Sequence, residues 1–354
     1  MRVLDRYIGR HVVWSTVLVL LVLLTLFSFF AFMDEVGDIG QGKYDVWAAL
    51  QYVLLTTPRL AYQLVPMAAL IGSTIGLGLL ASNSELVAIR AAGVSLGQIT
   101  WSVMKVGLII IAVSLVLGEG VAPVAEEYAQ AMRSMAKSNK LELGGRSGLW
   151  ARDGDSYVNV RAFLPGQRLG GVTVYEFDKE RHLSQVKTAE SAVYRKGHWI
   201  LEHVASSRLS FDGVEVQQQA QEEWNTRLSP DLLSVVTVKP NTLSIVGLYN
   251  YVTYLYANGL EAAVYEQALW GKLMVPVVTG VMMFLSIPFV FGPLRSVGIG
   301  QRILIGTLVG IGFHLLNQTF GYLGLVAALP PVVTAVLPVG LALGMAIWLM
   351  RRVH

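Results

Sequence analysis

The chain has 354 residues, 54% of them hydrophobic and 14% charged, with 27 basic and 24 acidic side chains and no cysteine. Ordinary soluble domains carry close to a quarter charged residues, so this composition excludes that class, and the lack of thiols excludes thiolate catalysis, disulfides and cysteine zinc sites. A formal charge of +3 does not call for a polyanion, and no nucleic-acid partner is expected.

Six apolar runs, residues 12–33, 60–81, 99–118, 273–294, 303–329 and 332–350, reach or approach the roughly 20 residues that cross a hydrocarbon core of about 30 Å as a helix. Lys105 is the one charge inside them. The first run has 22 residues, longer than the roughly 7 to 15 of a signal-peptide core. No small-residue cleavage site follows Met33, so the N-terminus is expected to be retained. Residues 122–267 hold 15 basic and 17 acidic groups and cannot lie in lipid. The expected fold class is therefore a polytopic α-helical membrane protein. Six transmembrane helices fall in two three-helix halves, 1–121 and 268–354, with a water-exposed domain inserted at 122–267.

Lys and Arg in the short connections set the orientation. Arg2, Arg6, Arg10, Arg90, Arg295, Arg302, Arg351 and Arg352 gather on one side. The other side sets Lys43 against Asp34, Glu35, Asp38 and Asp45. Both termini are expected in the cytoplasm and the inserted domain outside it.

That domain opens with a polar stretch, 123–140, which reads as a helix continuing or re-starting after Pro123. Beyond it come short runs rich in Val, Tyr, Phe and Trp at 148–152, 156–163, 171–177, 183–194, 198–209 and 214–221. Asp153-Gly154-Asp155, Pro165-Gly166-Gln167, Lys196-Gly197 and Asp212-Gly213 supply turns between them. Six strands so spaced predict a sandwich, a barrel or a folded-over sheet. Val172 and Val174 take one face while Tyr175 and Phe177 take the other, so both faces need cover or line a groove for something greasy.

No G-x-x-x-x-G-K-[ST] loop occurs, so any ATP must be held by a partner. His314, Asn317 and Gln318 sit mid-way along the fifth apolar run, where they line a cavity or proton path or join helices. His182, His198 and His203 lack metal-type spacing and read as surface residues. Between the second and third runs, Ser82-Asn83-Ser84-Glu85 fits a capping box, followed by Leu86, Val87, Ala88, Ile89, Arg90 and Ala91 and a stop at Gly93. A helix so short, pinned between two spans, suits a partner's groove or the lipid interface. At the opposite end Lys43, Arg59, Arg133 and Lys137 are placed to meet phosphates or to snorkel.

Several segments carry a family resemblance. They are Val3-Leu4-Asp5-Arg6-Tyr7-Ile8-Gly9, Gly40-Gln41-Gly42 with Tyr44-Asp45, Pro66-Met67-Ala68-Ala69-Leu70 and Ser84-Glu85-Leu86-Val87 through Gly93. Gly118-Glu119 with Val121-Ala122-Pro123, Gly148-Leu149-Trp150-Ala151 and Phe291-Gly292-Pro293-Leu294-Arg295-Ser296 complete the set. Together they resemble the lipopolysaccharide-export permease family (LptF and LptG), the LptG branch most closely, over the whole chain. The resemblance implies an ATP-driven extractor of lipopolysaccharide in a Gram-negative inner membrane. It implies LptF as heterodimer partner, a cytoplasmic LptB ATPase dimer holding ATP and Mg, and a periplasmic jelly-roll-like domain bridging to LptC and LptA. No cofactor is expected on this chain itself, and no enzyme activity.

By the same likeness Ser84, Glu85, Leu86, Val87, Ile89, Arg90 and Gly93 couple to the ATPase, and Lys43, Arg59, Arg133 and Lys137 are the lipid-phosphate candidates. Phe27, Phe30, His314, Asn317 and Phe320 are candidates to line the cavity. The chain departs from the family at Gly37-Asp38, a stretch more basic in some relatives. The other classes to be weighed are a proton-driven transporter working through His314 and a scaffold that moves nothing. An extractor is what the chemistry needs, because each buried CH₂ holds a lipid in the membrane by about 0.8 kcal/mol.

Overall fold

The computed structural model describes residues 2–137, 149–154, 156–164, 168–178, 180, 182–195, 198–210, 213–224, 226, 228, 240–292 and 298–352. Six helices in it are long and apolar enough to cross a membrane, as expected. Helix α1 (Arg2–Val36) runs beside α2 (Val46–Ser82), which starts where the Asp45 carboxylate accepts the Ala48 N–H at 2.8 Å. The two approach closely because Gly72 faces the backbone of Thr16, and a Cβ on Gly76 would stand 2.9 Å from the His11 carbonyl oxygen. The short α3 (Glu85–Ala91) turns the chain into α4 (Leu96–Leu115).

The third span does not stop at Pro123. A π-helical turn, Val116–Val121, carries α4 directly into α5 (Ala122–Lys137), with the Ala122 N–H donating to the Leu117 carbonyl. Proline explains the turn: Pro123 offers no N–H to the Glu119 carbonyl and its ring crowds it, so the helix widens there. The domain boundary expected at 122 thus falls inside one continuous helix, and α5 packs on α2 as part of the helical body.

Six strands follow: β1 (Leu149–Asp153), β2 (Ser156–Leu164), β3 (Arg168–Phe177), β4 (Leu183–Arg195), β5 (His198–Ser210) and β6 (Gly213–Trp224). All pair antiparallel in chain order, so among the described residues this is one meandering sheet rather than a two-layer sandwich. Of the expected turn residues, 155, 165–167, 196–197 and 212 lie outside the described ones, as do 148 and 293–296 of the family segments.

One face of the sheet buries Val158, Val160, Val172, Val174, Leu201 and Val204 under helix α6 (Ile245–Ala257), which contributes Tyr251, Val252, Tyr254 and Leu255. The Tyr254 hydroxyl donates to the Arg152 carbonyl at 2.6 Å, and burial, with Asp153 nearby, pushes its pKa up to about 12. On the other face Tyr175 stacks on Trp150 at 5.5 Å and Phe177 meets Tyr157 edge-on at 5.6 Å, so both faces are apolar, as the alternation predicted. The inserted block is helical at both ends and β in its middle.

The chain returns from the sheet through α6 to α7 (Ala263–Phe291), α8 (Ile299–Val326) and α9 (Pro331–Arg351). Glu119, in the π turn, accepts the Ile245 N–H at 2.6 Å, and the Lys272 ammonium donates to the Leu243 carbonyl. Spans three and four therefore hold the strap on which the sheet sits. Six crossings also bring both termini to the same end of the bundle, opposite the sheet.

Candidate functional site

Helices α1, α2, α7, α8 and α9 surround a cavity of about 500 Å³. Of the candidates, Phe27, His314 and Asn317 are among its lining residues and Phe30 and Phe320 are not. Each of the latter two lies three residues, nearly a turn, beyond a lining residue. Phe30 is more than half exposed and pairs edge-on with Phe29. His314 and Gln318, one turn apart on α8, bring their Nε2 atoms to 3.1 Å. They therefore contact one another along one helix and face the cavity, rather than tying two helices together. Gln63 of α2 and Gln267 of α7 also reach the cavity.

At the sheet end, three of the four expected phosphate-binding cations already have partners. Arg59 pairs with Glu126 at 3.0 Å, and Glu126 is only 2% exposed. Arg133 bridges Glu35 at 2.9 Å and Asp38 at 2.7 Å, and Lys137 also pairs with Asp38. The Lys137 ammonium holds the Asp38 carboxyl below the usual carboxylate range, aided by Arg133. Burial and the Glu35 carboxylate together raise the Tyr44 hydroxyl, which donates to Glu35 at 2.8 Å. Lys43 is different: its side chain is exposed, and its backbone N–H donates to the Ala136 carbonyl at 2.7 Å.

At the terminus end, α3 forms as a helix of 7 residues, but the Ser82–Glu85 capping box does not form. Helix α2 runs through Ser82, whose hydroxyl donates to the Leu79 carbonyl, and Ser84 takes a left-handed φ of 62° with no side-chain cap. The capping box lies one helix later: the Ser95 N–H donates to Gln98 Oε1 at 2.9 Å and the Gln98 N–H to Ser95 Oγ at 3.3 Å. Glu85 instead accepts the Tyr7 hydroxyl at 2.7 Å, tying α3 to α1. The stop is as expected. Gly93, at φ 89°, donates to the Arg90 carbonyl and Val94 to that of Ile89, the paired bonds of a Schellman turn. Leu86 is buried against Ile8, Leu80 and Ile99, whereas Val87 and Arg90 point outward.

The profile of the lipopolysaccharide export system permease family LptF/LptG matches residues 6–352. The chain is 38% identical over 353 residues to the lipopolysaccharide export system permease protein LptG of Escherichia coli K12, covering 99% of this chain and 98% of that protein. It is 36% identical over 351 residues to the LptG of Haemophilus influenzae, again covering 99% and 98%. The chain belongs to the LptF/LptG permease family.

Within this LptF/LptG chain, the family segments fall on elements with a structural reason. Gly118-Glu119 forms the π turn, where Gly118 leaves room for the Tyr62 ring, and Pro66-Met67 forms cavity wall. Reading by residue type missed Gln63, Gln267 and Lys272, because Gln63 stands alone in an apolar run, Lys272 borders one and Gln267 closes the block read as water-exposed. The histidines at 182, 198 and 203 are exposed, as expected. Asp178, Glu180 and His182 do come together, but all three are exposed, and the Glu180 and His182 N–H groups close a turn on the Asp178 carboxylate. That is turn chemistry.

Proposed function

We propose that the chain is one half of an ATP-driven machine that lifts lipopolysaccharide out of the inner membrane. It pairs with an LptF-type subunit, stands on an LptB-type ATPase dimer that holds ATP and Mg, and hands the lipid to LptC- and LptA-type partners. The termini and α3 face the cytoplasm and the sheet faces the periplasm. This orientation is supported by Arg6, Arg10, Arg90, Arg302 and Arg351 at the terminus end.

The cavity carries this reading. A volume of about 500 Å³ suits one drug-sized molecule, so it can take only part of a multi-chain lipid. A second wall must complete it, and the sparsely covered α1 and α8 are the faces a homologous subunit would meet. Work enters through α3: Leu86 anchors it to the bundle and Glu85 links it to α1, while Val87 and Arg90 are free to enter a groove on the ATPase.

Glu85→Ala and Arg90→Glu, made in the complex purified with its ATPase and reconstituted in vesicles, are expected to lower ATPase recovery or to uncouple hydrolysis from lipid release. Unchanged recovery together with unchanged release overturns the coupling role. Lipid release without ATP overturns the whole reading, and release by the isolated chain would favour a secondary transporter.

A further inference from the structure

The cavity is graded along its length. On α8, Gly310, Ile311 and Phe313 lie nearer the termini, followed toward the sheet by His314, Asn317 and Gln318. On α7 the order agrees, with Gln267 closest to the sheet and Met274, Val278 and Met282 successively deeper. Gln63 enters from the middle of α2. Four carboxamides and an imidazole thus share the sheet-side part of a cavity whose floor is hydrocarbon.

These amides are short of partners. Gln267 accepts the Thr334 hydroxyl at 2.6 Å, and Gln318 contacts His314. The side chains of Gln63 and Asn317 have no hydrogen-bond partner among the described residues and are exposed to the cavity. An amide in apolar surroundings is costly unless it is bonded, and alkyl chains offer it nothing. A lipid that displaces water from these exposed amides is held best if it brings donors and acceptors to this depth, just below its head group.

We propose that Gln63, Gln267, Asn317 and Gln318 form a rung that reads the linkages joining acyl chains to the head group, and that it selects an acylated amino sugar over glycerophospholipid. Amide-linked hydroxyacyl chains present N–H and O–H donors to carboxamide oxygens. The ester linkages of a diacyl glycerophospholipid present acceptors alone, which can take the amide N–H groups but leave the Gln63 and Asn317 carboxamide oxygens unpaired. A site built to bond a donor discriminates strongly against a ligand without it, because its own polar groups stay unpaired. This rests on the lipid-extraction reading and adds to it how bulk phospholipid is refused.

The test uses the complex with its partner subunit and ATPase in vesicles containing lipopolysaccharide and ester-linked phosphatidylethanolamine. The ratio of the two lipids co-purifying with the complex is measured by mass spectrometry. The double variant Gln63→Leu, Asn317→Leu, similar in size but without the amides, is expected to lower the ratio by about tenfold. Asn317→Gln, which keeps a carboxamide, is expected to preserve most of it. An unchanged ratio in the leucine variant overturns the proposal, as does an equal fall in both variants. Loss of the partner subunit from the leucine variant also overturns it, since the amides would then be assembly contacts. An unsubstituted complex that takes up no lipopolysaccharide refutes the extraction reading itself, a result distinct from all of these.

Discussion

Helices α2 and α7 are buried over 72% and 61% of their most apolar stretches, whereas α1 and α8 are buried over only 17% and 11%. All four are apolar enough to span a membrane, so hydropathy does not separate them. What differs is the side chain at each contact. The central pair supplies Leu70, Leu77, Met282, Leu285 and Ile287 to the cores. The outer pair adds close approaches at small residues, Gly72 and Gly76 under α1 and Gly306 and Gly310 of α8 against Ile71 and Met67, while α1 also buries Ile8, Val12 and Leu23. A central helix makes the fold, and an outer one makes the wall. Outer helices with most of their apolar surface uncovered can accept a partner without dismantling the core.

The contrast breaks most sharply at Gly72. Its missing Cβ is the space that Thr16 occupies, and the atom in the way is backbone, which cannot rotate aside. Gly72→Leu is expected to cost about 3 kcal/mol or more by overpacking and to detach α1. Partner recovery and the cysteine crosslinking of α1 to α2 should both fall. The same change at Gly340, which has nothing within 4 Å of its Cβ position, should leave both intact. If Gly72→Leu behaves like Gly340→Leu, the close-approach account of the outer helix is wrong.

A second, smaller effect separates holding from binding among the cations. Glu126 is almost wholly buried while Arg59 remains partly exposed. Arg59→Leu is therefore expected to destabilise by about 2 kcal/mol, between the values for surface and buried pairs. Arg59→Leu with Glu126→Leu should recover most of that, since an apolar pair of similar size is tolerated. Thermal unfolding of the complex gives the energies, and photocrosslinking to lipopolysaccharide gives the binding. A stable double variant that still captures lipid assigns Arg59 a structural role; one that has lost capture assigns it to the phosphate.

Periodicity and composition made the spans and strands legible, since hydrocarbon length and the two-residue repeat of a strand are local rules. All six strands lie within about three residues of where alternation put them. The Ser82 capping box was misread because Ser-x-x-Glu marks a helix start only if the previous helix has ended, and α2 had not. Phe30 and Phe320 are not among the residues that line the cavity, and residue type says nothing about which side of a helix faces it. Arg59, Arg133 and Lys137 were legible as cations, but their carboxylate partners, Glu126 on α5, Glu35 on α1 and Asp38 just beyond it, are tens of residues away and only the fold brings them together. Gln63 is an isolated polar letter in apolar text, and Gln267 closes the block read as water-exposed. Their meaning depends on a cavity that five helices build.

The smallest effect concerns how α1 is fastened at its sheet end. There the contact is electrostatic: Asp38 lies just beyond α1 and meets Lys137 and Arg133 from α5. Because Lys137 depresses the Asp38 pKa in the folded protein, the ionised carboxylate stabilises the clamp at all pH values above the ordinary aspartate range. That contribution is lost as pH falls through the depressed folded value. Acidification should therefore loosen the sheet end of α1 while leaving its glycine-packed contacts with α2 in place. Spin labels reporting the distance from the loop after α1 to α5 should broaden at low pH, and Asp38→Asn should abolish the pH response while resembling the acid state at neutral pH. Equal broadening at the Gly72–Thr16 contact would mean that the helix is fastened as a single unit, and the division between its polar and close-packed attachments would fail.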